Sequence, residues 1–244
     1  MSDLAEFRAR GRQAVLSGRA TYDTPPVEGA RRWGAAGVLR PRGEVVERLT
    51  ALAATVDAPG HWVHGGATLH ITFRSLEPYR ADIPADDPLR RTYAEVLAEA
   101  AAGLPPARLR LRGVSPHPGG VLVHGRPRDG TLEALRERFA RGLESRGVRD
   151  LDHGRRRDLW YVSLVHFAGP LRDPGRIVAW CDAHAGADFG TAELASAEIV
   201  RFALTGGRVT VHSLGTAALD GGTAGGPRAR AQTVAVSARS GTKR

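Results

Sequence analysis

The chain has 244 residues, of which 42% are hydrophobic and 25% charged, and it carries a formal net charge of +9. Its length allows one sizeable core, as one domain or two small lobes, and its balance is that of an ordinary soluble globular protein. No apolar run reaches the roughly 18 residues of a membrane helix, and the one cysteine, Cys181, excludes an intrachain disulfide and a cysteine metal cluster.

The charge is unevenly spread. From residue 221 onward there are five basic residues (Arg228, Arg230, Arg239, Lys243 and Arg244) and no acid, which leaves about +4 on the preceding 220 residues. The part expected to fold is only mildly basic, which tempers the nucleic-acid surface that the high pI suggests. The first residues, MSDLAEFRARGRQAVL, carry acids and an amphipathic pattern rather than an apolar signal core, so a cytoplasmic protein is expected.

In chain order, residues 3–17 predict an amphipathic helix, with Leu4, Phe7, Ala14 and Val15 on one side. Residues 18–30, with Pro25, Pro26 and Gly29, predict a linker. A strand follows at 33–39, then a helix at 43–57, whose Val45, Val46, Leu49, Leu52, Ala53 and Val56 recur at helical spacing. Ala58-Pro59-Gly60 stops that helix. Leu69-His70-Ile71-Thr72-Phe73 predicts a strand with His70 and Thr72 on one face and three apolar residues on the other.

After a loop at 74–85, an Asp before Pro88 predicts the start of a helix running to about 102, with Leu89, Tyr93, Val96, Leu97 and Ala100 inside. Residues 107–112 alternate strictly and pair as a hairpin with 121–125 through a Pro-Gly-Gly turn; Arg108, Arg110 and Arg112 form its solvated face. A helix is expected at 131–146. A polar loop at 150–158 contains Arg155-Arg156-Arg157. The strongest strand covers 159–167. A helix at 174–185 buries Cys181 as a small apolar residue, and strands follow at 189–194, 196–204 and 208–212. Residues 221–244 are rich in Gly, Ala, Ser and Thr and predict a disordered basic tail.

Strand–helix–strand occurs twice in this order. In each unit the second strand carries a polar pair at i and i+2: His70/Thr72 and Tyr161/Ser163. With this duplicated layout the chain resembles the 2H phosphoesterase superfamily, especially its bacterial RNA-ligase-like, 2′,3′-cyclic phosphodiesterase branch. The family's His-x-Thr/Ser-x motif matches at His70-Ile71-Thr72-Phe73. It aligns a second time at Tyr161-Val162-Ser163-Leu164, where the trailing Phe167-Ala168-Gly169-Pro170 fixes the register and Tyr161 stands at the family's second His. The resemblance covers roughly residues 33–218.

It implies an α+β fold of two pseudo-symmetric lobes, with antiparallel sheets around a central cleft and helices outside. It divides the chain into an N-terminal helix and linker at 1–30, a bilobal domain at 31–220, and the tail at 221–244. The implied activity is a metal-independent, cofactor-free phosphoesterase. Its substrate is a cyclic phosphate or phosphodiester of a nucleotide or RNA end, with no membrane partner. His70 is the expected base and Tyr161 the acid or phosphate-binding donor. A tyrosine hydroxyl, with a reference pKa near 10 against 6.5 for histidine, donates readily but is a poor base at neutral pH. Thr72 and Ser163 are expected to hold the phosphoryl oxygens. His124, Arg155 and Arg157 are candidate substrate-binding residues.

Two other functions share this scaffold. One is an enzyme performing proton transfer, cyclisation or elimination on a small molecule, and the other is a non-catalytic module that binds a phosphate ligand. The remaining histidines are expected outside the chemistry. His166, five positions after Tyr161, points to the opposite face by alternation, and only a bulge would bring it in. His61, His64 and His117 lie in or beside turns at the surface, with His64 and His117 at the cleft rim. His212 is near a strand end.

Overall fold

Two of the helices begin where the sequence supplies a capping aspartate. In this computed structural model, which describes residues 4–155, 157, 159–205 and 208–222, Asp87 accepts a 2.9 Å hydrogen bond from the Arg90 N–H with Pro88 next to it, and Asp173 does the same for Arg176 beside Pro174. The elements in order are α1 (Leu4–Leu16), β1 (Ala36–Leu39), α2 (Glu44–Ala53), β2 (Trp62–Val63), β3 (Ile71–Ser75), α3 (Pro88–Ala101), β4 (Ala107–His117) and β5 (Gly120–Pro127). They continue with α4 (Thr131–Ser145), β6 (Trp160–His166), α5 (Pro174–Ala183), β7 (Asp188–Leu194), β8 (Ser196–Thr205) and β9 (Arg208–Ala218).

The strands form two sheets, ordered β3-β1-β8-β9 and β2-β6-β5-β4-β7, with every pairing antiparallel. β3 and β6 approach each other across the two sheets. Helices α3 and α4 pack together and against the β9, β3 and β4 strands, while α2 lies along β6 and β7. This is the α+β arrangement of paired antiparallel sheets expected from the sequence. One core runs from Leu39, Leu49, Ile71 and Phe73 through Leu109, Leu111, Phe139, Val162 and Leu164 to Ile199. A small second cluster joins Ala36, Val38, Val200 and Phe202, with Trp33 against it.

Each motif strand carries a β-bulge directly after its polar pair. Along β3, Thr72 stands opposite Val38 and Arg74 opposite Gly37, so Phe73 is the extra residue. Along β6, Ser163 stands opposite Leu122 and Val165 opposite Val121, so Leu164 is the extra residue. A bulge resets alternation by one position. Val162, Leu164, Val165 and Phe167 are therefore all fully buried, while Tyr161, Ser163 and His166 turn the other way. At β3 the equivalent set is His70, just before the strand, with Thr72 and Ser75. Gly120 permits the crowding at the second bulge: a Cβ there would stand 2.0 Å from the Val165 carbonyl oxygen.

Several sequence expectations change. His166 does not lie on an outer face, because the bulge at Leu164 reverses its direction. His64 is not a surface residue: it is 3% exposed, its backbone N–H bonded to the Leu164 carbonyl 2.8 Å away where the chain leaves the two-residue strand β2, which the sequence did not suggest. Leu89 is 38% exposed; the buried face of α3 starts at Tyr93. Strands β4 and β9 run on to His117 and Ala218, each past a bulge that breaks the simple alternation. Most of the expected tail, residues 223–244, lies outside the described residues. No helix among the described residues is long and apolar enough to cross a membrane.

Helix α1 packs on β4 and α5 of its own chain. Gly11 meets the Pro116 carbonyl, and Arg8 donates to the Ser115 hydroxyl (2.9 Å) and the Ala185 carbonyl (3.0 Å). A Cβ at Gly11 would stand 2.0 Å from the Pro116 carbonyl oxygen, a clash that only helix displacement relieves. Gly11→Ala is therefore expected to cost about 1–3 kcal/mol in chemical denaturation despite alanine's better helix propensity. Amide exchange should rise across α1 and remain unchanged in β5 and β6.

Candidate active site

Four side chains singled out in the sequence meet in one cleft. His70 and Thr72 enter from the sheet containing β3, and Tyr161 and Ser163 enter from the sheet containing β6. The cleft holds about 420 Å³. His166, Ser75, Trp33 and Phe202 also line it, as do Arg155 and Arg157 of the polar loop and Arg31 and Arg32 before β1. A second hollow of about 330 Å³ adjoins it past His117 and Tyr161, walled by Tyr22 and Asp23 of the N-terminal linker.

His70 is held at one nitrogen. Its Nδ1–H donates to the Thr68 carbonyl at 2.7 Å. The neutral ring therefore carries its lone pair on Nε2, which makes no hydrogen bond among the described residues. Burial lowers the pKa of His70, the Thr68 carbonyl opposes that shift, and the charge of Arg40 adds to it. Arg40 is itself clamped by Glu198, through bonds of 2.9 and 2.7 Å. At neutral pH His70 is uncharged, as a proton acceptor must be.

His166 is held likewise. Its Nδ1 lies 2.7 Å from Nε2 of His64, and Nδ1 of His64 lies 3.1 Å from the Thr68 hydroxyl. Burial is the main cause lowering both pKa values, that of His64 to about 3 and that of His166 well below its usual value. His64, Arg32, His70 and His117 add repulsion at His166. Trp33 packs edge-on to His166 with ring centroids 5.0 Å apart. Trp33 is a non-glycine residue at φ 64°, in the left-handed region, so its backbone is strained to place the indole there.

The arginine loop is partly fixed. Arg157 donates to Asp152 (2.8 Å) and to the Ser75 hydroxyl (2.5 Å), and Arg74 grips Asp150 with bonds of 2.5 and 2.9 Å. Asp150 and Asp152 are buried. Arg155 is exposed at the cleft edge, and Arg156 lies outside the described residues. In the N-terminal linker, Asp23 grips Arg32 through both carboxylate oxygens.

His124 does not reach this cleft. It is buried under α1, its Nε2 2.6 Å from the Ser115 hydroxyl and Phe7 edge-on to its ring. Burial and then Arg8 lower its pKa to about 4. The residues that sequence reasoning missed are His166, His64 and Thr68. The signal for His166 was local: Leu164-Val165 puts two core residues side by side, which strict alternation cannot accommodate.

The fold is shared with solved structures. No family model matches the sequence, and no curated protein matches it. A Thermus thermophilus protein, TT0787, superposes with a TM-score of 0.56 at 16% identity, covering 76% of this chain and 97% of its own. A structure described as a phosphoesterase gives 0.51 at 16% identity, over 77% and 98%. Escherichia coli LigT in complex with 3′-AMP gives 0.55 at 12% identity, over 77% and 98%. The chain thus has the 2H phosphoesterase-like fold that its duplicated motif suggested.

The buried neutral histidines set a pH limit on folding. His64, His70, His117, His124 and His166 all have lowered pKa values. Below about pH 6.5 the unfolded chain binds protons that the folded chain does not, so stability present above that pH is lost as the pH falls. Each such group costs up to about 1.4 kcal/mol per pH unit over its own window. Urea midpoints are expected to be flat from pH 8 to 7 and to fall steeply from pH 6.5 to 4.

Proposed function

We propose that the protein is a metal-independent phosphoesterase that hydrolyses a cyclic phosphate or phosphodiester of a nucleotide or RNA end. The observation that carries this reading is the meeting of His70/Thr72 and Tyr161/Ser163, from two facing sheets, in one cleft. Three points support it. The fold is that of solved phosphoesterases, and those of E. coli LigT include complexes with 3′-AMP, ATP, NADP+ and phosphate. His70 presents an unprotonated Nε2, suited to a general base. The Thr72 and Ser163 hydroxyls approach from opposite sheets, as needed to hold two oxygens of one phosphoryl group.

In this reading His70 takes the proton of the attacking water. Thr72 and Ser163 bind non-bridging oxygens, and Tyr161 donates to the phosphate or its leaving oxygen. Arg155 and Arg157 place positive charge beside the cleft, where anionic substrate enters.

Purified protein is expected to turn over 2′,3′-cyclic nucleotides or RNA ends bearing a cyclic phosphate in the presence of EDTA. His70→Ala should lower kcat by at least about 10²-fold, the usual worth of a positioned general base, with an unchanged thermal midpoint. Binding of these ligands without turnover would leave a binding module, and failure to bind any of them would favour chemistry on a different small molecule.

A further inference from the structure

We propose that His166 is the second proton-transfer residue of the cleft, protonating the leaving oxygen, and that buried His64 is the residue that positions it. This rests on the phosphoesterase reading and deepens it. Of the two tasks open to Tyr161, it leaves the donation of a hydrogen bond to a phosphoryl oxygen.

The first ground is register. His166 shares the cleft face with Tyr161 and Ser163 only because Leu164 is bulged. The bulge at Phe73 is its counterpart, and places Ser75 at the equivalent position. The two halves of the cleft thus match position by position. His70 is paired with Tyr161, Thr72 with Ser163, and Ser75 with His166. The second half lacks a histidine at the first of these positions and has one at the third.

The second ground is the hydrogen-bond chain behind His166. The Thr68 hydroxyl donates to the Gly65 carbonyl at 3.1 Å, so its oxygen accepts from the Gly65 N–H (3.2 Å) and from Nδ1–H of His64 (3.1 Å). With its proton on Nδ1, neutral His64 offers the Nε2 lone pair, which accepts from Nδ1–H of His166 at 2.7 Å. His166 is left with Nε2 as its working nitrogen. A proton-transfer residue oriented by a second group, itself oriented by a third, is the arrangement that general acid–base sites use. Tyr161 has no hydrogen-bonded partner behind its hydroxyl among the described residues.

The third ground is that one residue sets both histidines. The Thr68 carbonyl holds Nδ1 of His70, and the Thr68 hydroxyl holds the His64 that holds His166. Both rings then reserve Nε2 for the cleft.

The groups that face His166 are His64 beyond β2, His70 before β3, His117 at the end of β4, Arg32 and Trp33 from the linker, and Tyr161 on its own strand. Burial first, and then repulsion from Arg32 and the neighbouring rings, disfavours a proton, so the ring is neutral without ligand. A phosphoryl anion in the cleft opposes that repulsion and draws a proton onto Nε2. In the reaction, Nε2 of His70 takes a proton from water as the water oxygen bonds to phosphorus. The bond from phosphorus to one ribose oxygen breaks, and that oxygen takes the proton from Nε2 of His166. The product is a phosphomonoester, and exchange with solvent returns both rings to their starting states.

Two measurements test this. In ¹⁵N-histidine NMR of the full chain, His166 is expected as the neutral Nδ1–H tautomer at pH 7, and as an imidazolium when inorganic phosphate saturates the cleft. His64→Leu should abolish the tautomer preference, and His64→Gln, whose amide oxygen can accept from Nδ1–H, should restore it. The tautomer is readable without substrate or turnover, and a neutral His166 carrying its proton on Nε2 overturns the proposal.

With a turned-over cyclic nucleotide, His166→Asn should lower kcat at least about 10²-fold. It should also remove the fall of activity at high pH, a limb that Tyr161→Phe retains. His64→Leu should lower kcat with KM unchanged and move that limb to lower pH. Loss of activity in His70→Ala together with full activity in His166→Asn would overturn the proposal and spare the phosphoesterase reading. Absence of turnover in the wild type with the expected tautomer would overturn the reading and spare the His64–His166 assignment.

Discussion

The site depends on one constraint, the interruption of strand alternation directly after each polar pair. A β-strand divides its residues between two faces with period two, and a single inserted residue reverses every position beyond it. In β6 the inserted residue is Leu164, fully buried, and the reversal brings His166 beside Ser163. In β3 it is Phe73, also fully buried, whose ring lies over Gly37 of the neighbouring strand. A Cβ at Gly37 would stand 2.4 Å from that ring. The bulges are thus anchored in the core, and the polar side chains opposite them inherit that rigidity.

Around this centre the chain places compensated charge. Arg74 with Asp150, Arg157 with Asp152 and Arg40 with Glu198 each set a guanidinium against a carboxylate that is at most 3% exposed. Removing one partner of such a pair leaves a buried charge unpaired, so these contacts fix the geometry of the loop and strands more than they add stability. The N-terminal segment contributes as well. Helix α1 covers His124 and Ser115, and the linker that follows delivers Arg32 and Trp33 to the cleft and Tyr22 and Asp23 to the hollow beside it. The strained backbone of Trp33 packs its ring against His166, Trp62 and Phe202.

Much of this was legible from residue patterns. An Asp-Pro start marked α3, a proline start marked α5, the alternation at 107–112 marked β4, and the repeated strand–helix–strand layout paired His70/Thr72 with Tyr161/Ser163. What was not legible depended on tertiary context. Strand alternation sent His166 outward, because the adjacent apolar pair Leu164-Val165 marks a bulge only once cross-strand packing against Val121 and Leu122 buries both side chains. His64 looked like a turn residue because its burial comes from β6, 100 residues later in the chain. His124 was a candidate for the substrate site by its place on β5, but nothing in the sequence told that α1 would cover it.

The central claim is that the two bulged strands present one phosphate site between His70 and His166. A crystal structure of the protein with inorganic phosphate tests it most directly. The account predicts phosphate oxygens within hydrogen-bond distance of the Thr72 and Ser163 hydroxyls, with Nε2 of His70 on one side of the ion and Nε2 of His166 on the other. A phosphate held by Arg155 and Arg157 away from both hydroxyls, or a His166 ring turned out of the cleft, would contradict it.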